Sequence, residues 1–351
     1  MELCELIFKL CAIPSVSGFE KRGTQALDAL IGGTLEKVFV DGVGNHVYKK
    51  SCGKEGAPRL LIDTHFDEIG MIVTDIVEGG FLRIAPIGGI DPSILSAADV
   101  IIYGKEVLRG VICSTPPHLK KDDKLLRPDE MLIDTGLSEE RAKELIEVGT
   151  PVGFAPVYGE LLGERLVGKS FDDKAPAACA LWTVMNTPSE ALAADVYVLL
   201  SSVEETSRLG GVSAATYAID PDYAMVIDVN LARVPDTKDF ETVEMDKGVS
   251  VSVSPSTHYG LTMAVASLCK EKNIDHCMIA APSGTGTNAP SVNLTLCGVP
   301  VVDIGLPLAS MHTYNEVISA KDCRTLCSLI KEFIVSEKLA RDFARKEVEW
   351  I

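Results

Sequence analysis

The sequence predicts an α/β protein with a β-rich segment inserted in its middle, and three observations carry that expectation. Apolar strand-like runs alternate with helical runs in the later part of the chain and, more briefly, near its start. Between about residues 69 and 167 that texture gives way to short β-branched runs separated by Gly and Pro. Outside this segment, the strand-like runs end in acidic residues and histidines. Alternating strands and helices imply a sheet with helices on both faces, because each apolar face must be covered.

Near the start, MELCELIFKLCAI places Leu3, Leu6, Ile7 and Leu10 at helical spacing, while Glu2, Glu5 and Lys9 interrupt it too often for a secretory leader. EKVFVDGVGNHVYKK alternates like a hairpin, and RLLIDTH is a short apolar run closing on polar residues. The middle segment holds GMIVTDIVEGGFLRIAPIGGI and GTPVGFAPVYGELLG, strand-like runs that suit a small β-barrel or a sandwich. One helix is expected inside it, Glu139 to Val148, with Ser138 as its N-cap and Gly149 as its stop. After Gly168 come helical APAACALWTVM, strand DVYVLLSSV, helical GVSAATYAI, strand YAMVIDV, helical GLTMAVASLCKEK and strand VPVVDIGL. A final helix buries Leu326, Leu329, Ile330 and Phe333. The expected division is residues 1–68 with 165–351 as one domain and 69–164 as the insert.

Bulk properties narrow the function classes. The 351 residues are 46% apolar and 24% charged, ordinary for a folded soluble chain. A formal charge of −17 argues against nucleic acid and anionic membranes, which attract basic faces. No run approaches the ~18 apolar residues of a membrane span, so a cytoplasmic protein is expected. The ten cysteines are scattered without any Cys-x-x-Cys and read as small hydrophobes, not as a zinc finger.

Ligands gather at the carboxyl ends of strands in open α/β sheets. After RLLI come Asp63, His65, Asp67 and Glu68; after VYVLLSSV come Glu204 and Glu205; after YAMVI comes Asp228; after VPVVDIGLPLAS comes His312. Asp172 and Asp173 precede a helix in GKSFDDKAPAA. Singly these read as caps, solvated corners or hydrogen-bonded loop residues, and Asp63 as ordinary strand polarity. Together, two histidines and several carboxylates are the N/O donors that zinc, cobalt or manganese accept. Two ions sharing a carboxylate ~3.5–4 Å apart activate a bridging water, and a neighbouring free carboxylate must then move the proton. An adjacent Glu-Glu pair can provide one ligand and one base.

The motifs PSVSGFE, THFDEIG, IGGIDPSIL, GVICSTPPH, LIDTG, GKSFDDKAP, the Glu pair, IDV and PLASMHT span nearly the whole chain. In their order and spacing the chain resembles the co-catalytic metallo-aminopeptidases of the tetrahedral (TET), glutamyl-aminopeptidase and cellulase-M-like family. The resemblance implies a three-layer αβα zinc-peptidase-type domain with an inserted β-barrel dimerisation domain. It implies two divalent ions, zinc or cobalt: His65, Asp172 and Asp228 on one side, Asp172, Glu205 and His312 on the other. Glu204 becomes the general base and acid, a metal-bridging hydroxide the nucleophile, and Asp67 the support of His65 or its metal. Peptide substrates and self-association into a homododecamer built from dimers are implied as well. TSRLGG, Ala309, Ser310, Asn288 and Lys174 depart from the family's pattern and bear on side-chain preference. A deacylase acting on N-blocked peptides and a catalytically weak assembly protein are the alternative expectations.

Overall fold

The computed structural model describes residues 1–114, 116, 118, 127–206, 210–235, 237–238 and 242–345. Parts of GVICSTPPH and TSRLGG, including Ser207, Arg208 and Leu209, lie outside the described residues. The chain opens with helices α1 (Leu3–Cys11) and α2 (Thr24–Ile31), then strands β1 (Glu36–Val40), β2 (His46–Lys50) and β3 (Arg59–His65). Next come β4 (Gly70–Val77), β5 (Phe81–Ile87), β6 (Asp99–Tyr103), β7 (Val107–Ile112), β8 (Leu132–Asp134), helix α3 (Glu139–Leu145) and β9 (Pro151–Phe154). The remainder is β10 (Gly159–Leu161), β11 (Arg165–Gly168), α4 (Phe171–Asn186), β12 (Asp195–Ser201), α5 (Val212–Ile219), β13 (Tyr223–Leu231), β14 (Val249–Val253) and α6 (Tyr259–Lys272). It closes with β15 (His276–Ala280), α7 (Ala289–Asn293), β16 (Val301–Ala309), β17 (Glu316–Ser319), α8 (Ala320–Ile334) and α9 (Glu337–Phe343).

One large sheet runs β1-β2-β12-β3-β13-β16-β17-β11-β10, with β14 and β15 branching from β16. Its centre, β12, β3, β13 and β16, is parallel. Residues of these strands alternate between two apolar layers. Leu60 and Ile62 join the layer formed with α1, α4, α6 and α8, whereas Leu61 joins the one formed with α5 and α7. Three αβα layers result, as expected. Helix α4 is central and buried on nearly all sides; its run of alanines lets α1 and α8 pack closely against it.

Strands β4-β5-β8-β7-β6-β9 close into a barrel with its own apolar core, so of the two architectures open from sequence the barrel is the one formed. Closure removes the exposed strand edges a sandwich would keep. Strands β10 and β11 return the chain to the large sheet as an edge hairpin. Helix α3 is capped by the Ser138 hydroxyl as expected but stops at Leu145, short of Val148. Ile146 turns extended (φ −125°) and is buried in the barrel core, so packing outweighs continuation of the helix. Strands β14 and β15 lie outside the elements expected from sequence. In β14 Ser250 and Ser252 are buried along with Val249 and Val251, so the polar alternation of VSVSV does not mark a solvent face.

Candidate active site

The parallel strands β12, β3, β13 and β16 all point their carboxyl ends at one edge of the sheet, and their closing residues meet there. His65 ends β3, Asp228 lies near the end of β13, Glu204 and Glu205 follow β12, and His312 follows β16. Asp172 and Asp173 enter from the first turn of α4, joined to each other by a cis peptide bond. Of these residues all but Asp173 line a cavity of about 290 Å³ that also touches Gly286 and Met311. A second cavity of about 470 Å³ shares Glu204, Glu205 and Gly286 with it and extends along Thr206, Thr285 and Asn288. The two form one cleft.

Both imidazoles are held in the same way. His65 Nδ1 lies 3.0 Å from the Asp67 carbonyl and His312 Nδ1 lies 2.9 Å from the Gly89 carbonyl. A carbonyl only accepts, so each Nδ1 is the donor and each Nε2 is left facing the cleft. His65 Nε2 is 3.0 Å from Asp172 Oδ1, and His312 Nε2 is 3.5 Å from Asp172 Oδ2 and 3.3 Å from Glu205 Oε2. Asp228 Oδ1 stands 3.9 Å from His65 Nε2. Lone pairs therefore converge on both sides of one carboxylate, and only positive charge reconciles them. Without metal, that charge is a proton. The hydrogen bonds to Asp172 and Glu205 push His312 up to about 11. Asp172 is held low, because the bonds and charges of His312 and His65 outweigh the effect of its burial. A divalent ion on each side fits the same donors, all nitrogen or oxygen.

The remaining acids are pushed the other way. Burial, reinforced by Asp172 and Glu204, raises Asp228 well above the carboxylate range. Burial and then the carboxylates of Glu205, Asp67 and Asp172 raise Glu204 to about 7, with His65 opposing them. Glu205 is also raised, by burial first and then by Asp172.

Supporting groups explain the local backbone. Asp67, expected as the support of His65, offers it the backbone carbonyl; its carboxylate is 3.6 Å from His65 Nδ1. That carboxylate instead accepts from the backbone N–H of Glu204 and of Glu205, each at 3.1 Å. Glu20 accepts from Val203 N at 3.0 Å and so secures that residue's left-handed turn (φ 53°). Glu68 accepts from Lys169 and Ser170, faces Lys174 at 3.3 Å and accepts from Ser15 N at 3.1 Å, tying three segments together. Asp63 is fully buried, which corrects its reading as ordinary strand polarity. Burial lifts it to about 7, and Oδ2 accepts from Asn288 Nδ2 at 3.1 Å.

Sequence reasoning gave Asp173 no role and passed over Glu316. Asp173 accepts from His65 N at 3.0 Å and clusters with His65 and Asp228. Its place beside Asp172 was the available signal. Glu316, on β17, accepts from His312 N and from Asp172 N, both at 3.2 Å, and ties the two together. A lone Glu opening a short strand carries no sequence signal of that kind. Three of the other histidines serve the frame: His46 Nε2 meets Thr24 Oγ1 at 2.7 Å, His258 caps α6, and His276 Nδ1 donates to Ile274 O at 2.9 Å.

The cleft wall Thr285–Asn288 rests on a buried acid. Asp303 Oδ1 accepts from Thr287 Oγ1 at 3.0 Å, and burial raises its pKa from 3.8 to about 6. A raised folded-state pKa gives stability that is complete below the unfolded value and lost as pH rises through the folded one. Asp303→Asn is therefore expected to gain stability relative to wild type between pH 4 and pH 7, on the order of 3 kcal/mol. Urea midpoints at both pH values check this.

The fold and its carboxylate–histidine edge define a metal-dependent peptide hydrolase, and comparison with known proteins agrees. The M42 glutamyl aminopeptidase family model matches residues 44–329, and the chain belongs to that family. It is 29% identical over 340 residues to a lysyl aminopeptidase of Pyrococcus furiosus, covering 94% of this chain and 96% of that relative. Its fold matches aminopeptidase APDkam598 of the archaeon Desulfurococcus kamchatkensis with a TM-score of 0.88, 28% identity and 99% coverage of both chains. It also matches the Pyrococcus horikoshii TET1 peptidase, described as assembling into a tetrahedron or a large octahedral shell. That match has a TM-score of 0.84 at 26% identity and covers 95% of this chain and 99% of the other. The protein is thus a metallo-aminopeptidase at the level of its family. Among the described residues no helix is long and apolar enough to cross a membrane.

Proposed function

We propose that the chain removes N-terminal residues from short peptides at a centre of two divalent ions, zinc or cobalt. One observation carries this reading: the two oxygens of Asp172 each face a histidine Nε2 whose Nδ1 is tied to a backbone carbonyl. His65, Asp172 and Asp228 would hold one ion, and Asp172, Glu205 and His312 the other. Such ions would lower the pKa of a bound water and polarise the scissile carbonyl. Glu204 ligates neither ion. Its carboxylate lines the cleft with a pKa lifted towards neutrality, which suits taking a proton from water and delivering it to the departing amine. Asp67 positions that carboxylate through the Glu204 and Glu205 backbone.

Residues 1–68 and 165–351 form the catalytic unit in this reading, and 69–164 the self-association module of a cytoplasmic homododecamer built from dimers. The assembly of the P. horikoshii relative supports it, and light scattering on the purified protein tests it. Metal analysis together with a panel of free-amine and N-acylated peptides tests the activity. About two ions per subunit and turnover of free-amine peptides are expected; turnover of the acylated series alone would favour a deacylase. Glu316→Gln removes one of two backbone acceptors and is expected to weaken metal binding about 10–100-fold, read by competition with a chelator.

A further inference from the structure

Chemistry that the cleft does not use gathers where α4 packs on α8. Cys179 lies on α4, with Cys323 and Cys327 one turn apart on α8. Cys179 Sγ donates to the Cys323 carbonyl and Cys327 Sγ to the Cys179 carbonyl, each at 3.7 Å. Burial first, then the neighbouring Cys323 and Cys327 thiols, raises Cys179, whereas the neighbouring Cys179 thiol lowers Cys327. Cys179 and Cys323 are fully buried, whereas Cys327 keeps 6% of its surface and lines a cavity of about 440 Å³ beside Trp182, Arg324 and Lys331. One thiol of the pair is thus reachable by a small molecule, and its partner waits behind it. The same helix α4 carries Asp172 and Asp173 in its first turn, two turns before Cys179.

We propose that Cys179 and Cys327 are an oxidation site, forming a reversible disulfide when a hydroperoxide enters this cavity, and that the bond slows the peptidase. The Cys327 thiolate attacks the terminal peroxide oxygen, the O–O bond breaks, and the other oxygen takes the thiol's proton and leaves as water from hydrogen peroxide or as the alcohol from an alkyl hydroperoxide. Cys179 sulfur then displaces the hydroxyl of the resulting sulfenic acid, which leaves as water with the Cys179 proton. Two electrons pass from the thiols to the peroxide. An S–S bond of about 2.05 Å is shorter than any non-bonded contact of two sulfurs, so its formation draws α4 towards α8. Displacing the first turn of α4 misplaces Asp172. The slowing rests on the aminopeptidase reading; the covalent change does not.

The test uses the full chain loaded with zinc, which has no redox chemistry of its own. The protein is treated with hydrogen peroxide, alkylated and mapped by mass spectrometry, with turnover measured before and after. A Cys179–Cys327 linked peptide is expected, with turnover falling about tenfold or more and returning with dithiothreitol. Cys179→Ala and Cys327→Ala are each expected to turn over normally when reduced and to resist peroxide. Absence of the link, a link to Cys323 instead, an unchanged rate in linked protein, or equal inactivation of Cys179→Ala would overturn the proposal. An untreated enzyme inactive on every free-amine peptide would refute the functional reading and the slowing with it, while the peptide map still decides the covalent change.

Discussion

Glu204→Gln is expected to lower kcat about 10²–10⁴-fold while leaving fold and metal content as in wild type. Gln keeps the shape of the side chain and removes its ability to hold a proton in transit. The Glu204 and Glu205 N–H groups still reach the Asp67 carboxylate at 3.1 Å, so the loop stays in place. Glu204 makes none of the close contacts with the imidazole Nε2 atoms that Asp172 and Glu205 make, so metal occupancy should not change. The check is steady-state turnover beside metal stoichiometry on the same preparation. Full activity in this variant would remove Glu204 from the proton-transfer role, whereas lost metal would make it a ligand.

Asp172→Ala is expected to abolish measurable turnover and to cost both ions. Among the described residues no other carboxylate in the cleft faces both histidines, with oxygens 3.0 Å from His65 Nε2 and 3.5 Å from His312 Nε2. His312→Ala, by contrast, removes a donor from the Glu205 side alone and is expected to leave the His65 side loaded. Metal analysis distinguishes them: close to none for Asp172→Ala, about one ion for His312→Ala. Retention of two ions by Asp172→Ala would end its role as the shared ligand, since Asp173 lies close enough to compete for the His65 side.

Much of this arrangement was legible because strand order and sequence order share a rule. A parallel strand sends its polar closing residues to the carboxyl edge, so His65, Glu204, Glu205, Asp228 and His312 stood out by their places at the ends of apolar runs. The β-rich middle was legible for a similar reason, since β-branched runs between Gly and Pro can hardly form helices. Closure into a barrel was not legible, because it depends on which edges meet. Strands β14 and β15 were not, because buried serine looks like solvated serine until its neighbours are known.

The role of each acid divides along the same line. The sequence by itself determined residue type and position along each element: two imidazoles, a double Asp at a helix start, a double Glu after a strand. Only the tertiary structure decided that Asp172 lies between both imidazoles, that the Asp67 carboxylate holds the Glu pair's backbone, and that Glu316 ties His312 to Asp172. Burial decided the chemistry of Asp63 as well, turning an acid that looked like surface polarity into one lifted to about 7 beneath Asn288. The physical reason is range. Propensity and periodicity act over a few residues, whereas desolvation and charge act between groups that are neighbours only after folding, such as Asp172 and Glu316, 144 residues apart.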